Sequence, residues 1–240
     1  MKNLVFEFSK IVTLLATIGV GALSLGPGWS VFMDDGAQAA YFLERKRDRL
    51  DKACRATPDS IALHGELATV CEELGLWSDA FRCREKLIAL EPASAKRYRD
   101  FADSLSAMRS DGLQYFGCRR EEIPERVIAL YQAAVMRAPR DESLAREFAM
   151  TFYSLGGGFE NEAIAAWRHS LEISASEQAG KEAHLHLARW LSRSEGLSEA
   201  RWHLQQAEGF GNDMLVRETR RFLATVEMES GVTKHALLAP

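Results

Sequence analysis

The sequence predicts an all-α protein, a solenoid of stacked antiparallel helix pairs behind an N-terminal signal or anchor helix. Beyond residue 40, apolar residues recur at spacings of three and four, in blocks of roughly 13–16 residues separated by Gly or Pro, the periodicity of short amphipathic helices. Small residues in these blocks keep a common spacing: Ala68 and Ala80 are twelve apart and Pro92 twelve further on, and Ala188, Ala200 and Asn212 repeat the interval. Alternating Val/Ile/Thr runs closed by tight two-residue turns, the mark of strands and hairpins, are missing from the same region.

The chain of 240 residues opens on Met1-Lys2, and Ile11 to Leu25 form an uncharged apolar stretch of fifteen residues before Gly26-Pro27-Gly28 interrupts it. A basic start, a short apolar run and the small-residue candidate site Ala37-Gln38-Ala39 suit a signal peptide over residues 1–39. The uncharged run continues to Met33, so an uncleaved membrane anchor through residues 11–33 is the second reading, and an ordinary buried helix the third. No Cys stands near the end of the apolar stretch to suggest a lipoprotein signal. The compact layout reads as bacterial, and the localisation expected is the cell envelope, periplasmic or anchored facing the periplasm.

From residue 40 the elements follow in order. Tyr41 to Arg55 carries interleaved charges and is followed by Pro58, a capping helix over 40–57. Four helix pairs come next, at about 61–94, 95–141, 142–177 and 181–212. In the second, Ala102 stands twenty-five residues before Val127, the ruler plus thirteen inserted residues, and Val127 and Pro139 are again twelve apart. In the third, Ala149 and Ala163 are fourteen apart. Asp213 to Met228 places Leu215, Phe222, Leu223 and Val226 on one face and Arg217, Glu218, Arg220 and Arg221 on the other, a terminal capping helix. Residues 231–240 read as a loose tail.

This pattern resembles the tetratricopeptide repeat (TPR), a 34-residue helix–turn–helix unit. The matches are Leu67, Ala68, Gly75, Ala80 and Pro92, then Tyr98, Phe101, Ala102, Leu105, Tyr131, Ala134 and Pro139. The third unit supplies Phe148, Ala149, Phe152, Gly156, Ala163 and Trp167, and the fourth Leu187, Ala188, Leu191, Ala200, Leu204 and Ala207. The resemblance spans about three quarters of the chain. His64 and His184 depart from it, standing where the family favours Trp, and Arg84 replaces an aromatic. What it implies is a TPR-like superhelix whose first helices line a binding groove.

Composition and motifs exclude several classes. A net charge of −4 offers no basic excess for nucleic acid. There is no phosphate-binding G-x-x-x-x-G-K-[ST], no G-x-S-x-G elbow and no H-E-x-x-H metal motif. Gly156-Gly157-Gly158 lies between two helices and reads as a loosened turn. His184 and His186 are two apart and point to different sides of a helix. Cys54, Cys71, Cys83 and Cys118 contain no C-x-x-C pair; they read as packed thiols, with a disulfide in one of three connectivities as the alternative. No catalytic residue, metal or cofactor is expected.

Carried over from the resemblance, the groove positions are Ala62, Gly65, Thr69 and Glu72, then Lys96, Arg99, Asp103 and Ser106. The third and fourth units give Ser143, Arg146, Met150 and Tyr153, and Glu182, Leu185, Arg189 and Ser192. Lys96, Arg99, Arg146 and Arg189 would form a basic stripe, with Met150 and Tyr153 as apolar contacts, suited to an acidic or C-terminal peptide; ordinary solvated charges are the competing reading. Gly65 and Thr69 stand where the carboxylate-clamp subclass has Lys and Asn, so that subclass is disfavoured. Tyr115 and Phe116, beside Arg119 and Arg120 in the insertion, are the other binding candidates, unless they tuck a loop onto the hairpin. The function expected is a non-enzymatic protein-binding scaffold or adaptor of the cell envelope. A membrane-anchored structural subunit is the alternative, and an enzyme with its site among the helices a third.

Overall fold

The computed structural model describes residues 35–193, 196–208 and 213–237. The chain divides into two units, residues 1–46 and 47–240. Helix α1 (Asp35–Ala56) holds the end of the first and the start of the second, and the packing below is that of residues 47–240. The expected signal or anchor stretch, 11–33, lies outside the described residues. No helix among the described residues is long and apolar enough to cross a membrane.

Ten further helices follow: α2 (Ile61–Glu73), α3 (Trp77–Leu90), α4 (Ala95–Ala107), α5 (Arg109–Phe116), α6 (Glu122–Arg137), α7 (Glu142–Leu155), α8 (Glu160–Glu172), α9 (Glu177–Leu191), α10 (Leu197–Gln206) and α11 (Asp213–Leu237). The described residues contain no strand. Three of the helices start on side-chain caps. Ser60, Asp141 and Ser176 accept the backbone N–H of Leu63, Leu144 and Ala179 at 3.4, 3.0 and 3.1 Å, each satisfying a donor that the first turn leaves open. Helix α2 stops in a Schellman turn. The Gly75 N–H donates to Glu72 O at 3.0 Å and the Leu76 N–H to Cys71 O at 2.8 Å, with Gly75 at φ +70°, a conformation that Gly adopts without a Cβ clash. Pro92 and Pro139 fall two residues past Leu90 and Arg137, where α3 and α6 end and no further helical N–H is needed.

Helix pairs α2/α3, α4/α6, α7/α8 and α9/α10 pack against each other, and successive pairs stack through α3 on α4, α6 on α7 and α8 on α9. Ala68, Ala80, Ala102, Val127, Ala149, Ala163, Ala188 and Ala200 all have 0% exposure. The twelve-residue spacing thus marks where two helix backbones approach most closely, and only a small side chain fits between axes about 8–10 Å apart. Leu87, Leu105, Phe152, Trp167 and Leu187 fill the space beside them.

The inserted segment differs from the loop expected. Residues 109–116 form α5, and its Gly112 is buried. A Cβ there would stand 2.4 Å from Leu105 Cδ1 and 3.3 Å from Ile123 Cδ1, so glycine lets α5 lie directly on the α4/α6 pair. The last helix also runs further than expected, through Gly231 to Leu237. An isolated glycine costs a helix about 1 kcal/mol but does not end it.

Candidate ligand-binding face

Helices α2, α4, α7 and α9 are the first members of their pairs, and their polar side chains connect from one to the next. Arg84 of α3 anchors the first connection. Its guanidinium donates to both Glu72 oxygens at 2.9–3.0 Å and to Asp100 Oδ2 of α4 at 3.3 Å. Ser104 Oγ of α4 donates to Glu72 Oε1 at 2.6 Å. This accounts for the departure at Arg84: where the repeat family places an aromatic, this chain joins α2, α3 and α4 with a nearly buried ion pair. Glu72, which has no basic neighbour in sequence, receives its cation from the next helix.

Most of the expected basic stripe turns out to be neutralised. Lys96 Nζ lies 2.6 Å from Asp100 Oδ2. Arg99 Nε sits between Asp103 of its own helix at 4.0 Å and Glu147 of α7 at 3.4 Å. Asp103 also accepts the hydroxyl proton of the buried Tyr131. Arg146 of α7 makes a two-pronged bond to Glu182 of α9, at 2.9 and 2.6 Å. Exchanging Arg99 or Arg146 for an acid would therefore set like charges against Glu147 or Glu182, and such variants would probe stability along with binding.

The third and fourth pairs meet around an aromatic group. Tyr153 of α7 places its hydroxyl 2.8 Å from His186 Nδ1, its ring 5.1 Å from Trp190, and the Arg189 guanidinium 5.3 Å from its ring centre. His186 stacks on Trp167 at 4.2 Å, and burial pushes its imidazole down to about 4. With its proton on Nε2, which faces Glu182 Oε1 at 4.0 Å, the neutral ring accepts the Tyr153 hydroxyl proton at Nδ1; this tautomer follows from the neighbours. Burial likewise raises the Tyr153 phenol to about 12, so it remains a donor. Met150 is 38% exposed on the same helix.

Six of the eight predicted residues, Lys96, Arg99, Arg146, Met150, Tyr153 and Arg189, thus lie along the linked helices α4, α7 and α9. The other two do not join them. Tyr115 donates to Glu85 Oε2 at 2.7 Å and packs its ring 5.6 Å from Phe81. Phe116 lies 6.3 Å from Phe101 and under the Arg126 guanidinium at 4.5 Å. Both side chains seat α5 on its neighbours. Of the wider set of groove positions, Leu185 and Ser192 are buried, because α9 is covered by α8, α10 and α11 together. Asp100, Glu147 and His186 were not among the sequence candidates. An acid one helical turn from Lys96 was the available clue to Asp100, and Glu182 one turn before His186 a partial one; nothing local announces that Arg99 pairs with Glu147 or that Tyr153 and Trp167 meet His186.

Elsewhere, Cys54, Cys71 and Cys83 are free, buried thiols that line one cavity of about 760 Å³ with His64 and several charged groups. Burial raises Cys71 to about 11 and Cys83 to about 12, which keeps them protonated. Among the described residues no three His, Cys, Asp or Glu groups converge on a metal position.

No known family's sequence pattern matches the chain, and no curated protein matches it in sequence. Solved structures do match. One is YrrB, described as a TPR protein with an unusual peptide-binding site: 17% identity, 77% of this chain and 86% of that one, TM-score 0.55. Another is MamA: 16% identity, 76% of this chain and 98% of that one, TM-score 0.53. The all-helical pairs, the small residues at their crossings and these structural matches together give the chain the tetratricopeptide-repeat fold.

Proposed function

We propose that this chain is a non-enzymatic scaffold that holds a partner peptide or protein against the face built by α4, α7 and α9. The observation that carries this reading is the alignment of Lys96, Arg99, Arg146, Met150, Tyr153 and Arg189 along three consecutive first helices, joined by ion pairs from α4 to α7 and from α7 to α9 and by an aromatic group between α7 and α9. Charged and aromatic side chains fixed by their neighbours lose little freedom on binding, which favours recognition. The peptide-binding site in the description of YrrB supports the same use by analogy of fold. The setting we propose is the bacterial cell envelope, on the strength of the apolar stretch from Ile11 to Leu25; attachment through residues 11–33 would instead make the chain a membrane-anchored subunit of an envelope assembly.

A photocrosslinking amino acid at Met150 tests the binding face, with Met136 of α6, 79% exposed, as the comparison site. A specific partner should crosslink from position 150 and not from 136. Equal capture from both would refute the reading. Release as a shortened soluble protein on cell fractionation supports the adaptor; full-length membrane retention supports the anchored subunit.

A further inference from the structure

On this face, three of the four stripe cations already have carboxylates of their own: Lys96 has Asp100, Arg99 has Asp103 and Glu147, and Arg146 has Glu182. An incoming acid would have to displace a resident one. Arg189 is different. No ion pair among the described residues involves it or Arg193, which stands in the turn two residues past the end of α9. Glu160 attracts Arg193 at longer range, and Glu218 lines the same cavity, but among the described residues neither arginine is in direct contact with a carboxylate.

Both guanidiniums instead rest on aromatic rings. Arg189 lies 5.3 Å from the Tyr153 ring centre and Arg193 4.8 Å from that of Trp190. Stacking holds the planar group in place, and among the described residues no side-chain hydrogen bond takes up its forked N–H donors, the arrangement that grips a carboxylate with two parallel bonds. The two arginines open on a cavity of about 130 Å³ whose other walls are Glu218, Thr219 and Phe222 of α11. A carboxylate and a few carbons fit that volume, with the Phe222 ring as an apolar wall. Thr219 is occupied, its hydroxyl donating to Leu215 O at 2.8 Å. Glu218 bonds neither arginine and would repel the ligand from the rim.

We propose that Arg189 and Arg193, backed by Tyr153 and Trp190, form a carboxylate-docking subsite between α9 and α11. It takes either the C-terminus or an acidic side chain of a peptide held on the α4/α7/α9 face. The proposal rests on the functional reading above. It also gives the bound peptide a direction, with its anionic end at α9.

The test uses a fluorescein-labelled decapeptide library screened on the full chain, followed by anisotropy with the tightest peptide. Arg189→Gln/Arg193→Gln should weaken that peptide about tenfold or more, the loss expected when a charge-assisted contact is removed, while Glu218→Gln should tighten it. Amide capping of the peptide weakens binding if the carboxylate is its C-terminus; Glu→Gln changes weaken it if it is a side chain. The exposed Arg193→Gln alone should give a partial loss, which guards against misfolding of the double variant. A peptide that needs Tyr153 but binds the arginine variants as well as wild type would overturn the subsite and leave the face standing. If no decapeptide binds wild type, both fall.

Discussion

Acidification should loosen the junction of the third and fourth helix pairs, and His186 sets the size of the effect. A histidine ordinarily titrates near 6.5; burial against Trp167 holds His186 at about 4 in the folded chain. Glu182 faces it from its own helix and favours the proton, while Arg189 on α9 and Arg146 on α7 oppose it; Tyr153 occupies Nδ1. The folded state therefore binds fewer protons than the unfolded state between the two values, so stability is complete above pH 6.5 and declines as pH falls. At about 1.36 kcal/mol per pH unit of displacement, the loss approaches about 3.4 kcal/mol once the pH is below both values, and most of it is present at pH 4.5. Urea unfolding followed by circular dichroism at pH 7.5 and 4.5 measures it, in wild type and in His186→Gln. The variant is neutral throughout, and the carboxylates that titrate in both proteins cancel in the comparison. Wild type should lose about 2–3 kcal/mol more than the variant over this interval. Equal losses would mean that His186 is not held neutral by its burial, and the account of the Tyr153 contact would fail with it.

Other substitutions probe the remaining links. Ala80→Leu, at a helix crossing with no exposure, should cost about 1–3 kcal/mol by overpacking, read as a lower thermal midpoint; an unchanged midpoint would refute the assignment of the crossing. Arg84→Ala leaves Glu72 and Asp100 nearly buried without their shared cation and should cost about 2–4 kcal/mol in urea unfolding; a cost under about half a kcal/mol, typical of a surface pair, would show that the connection is only solvated charge. A thiol reagent at pH 8 should modify the partly exposed Cys118 first, with buried Cys54, Cys71 and Cys83 reacting only on unfolding. Rapid modification of all four would contradict the burial that holds Cys71 and Cys83 protonated.

Much of the fold was legible because helix pairing leaves local traces. Ala68, Ala80, Ala188 and Ala200 must be small wherever two backbones cross, and the crossing recurs at a constant interval along the chain. Gly75 announces a helix end through its conformation. Tyr115 and Phe116 were harder to place. An aromatic pair beside two arginines has the composition of an interface, but Gly112 allows α5 to settle on Leu105 and Ile123, and the ring contacts with Phe81 and Phe101 follow. A segment of eight residues with a weak apolar period carries too little local signal to separate a helix from a loop.

The linear sequence alone determined the all-helical repeat, its crossing residues and the set of first helices that share a face, since each depends on spacing within one unit. Only the tertiary structure decided which charges on that face are available. Glu147 reaches Arg99, and Glu182 reaches Arg146, across gaps of 48 and 36 residues, while Arg189 and Arg193 find aromatic rings in place of acids. Ion pairing falls off over a few ångströms and depends on how neighbouring units stack, so a stripe that reads as uniformly basic along the chain becomes, once folded, a ladder of paired charges ending at Arg189, which among the described residues has no ion pair.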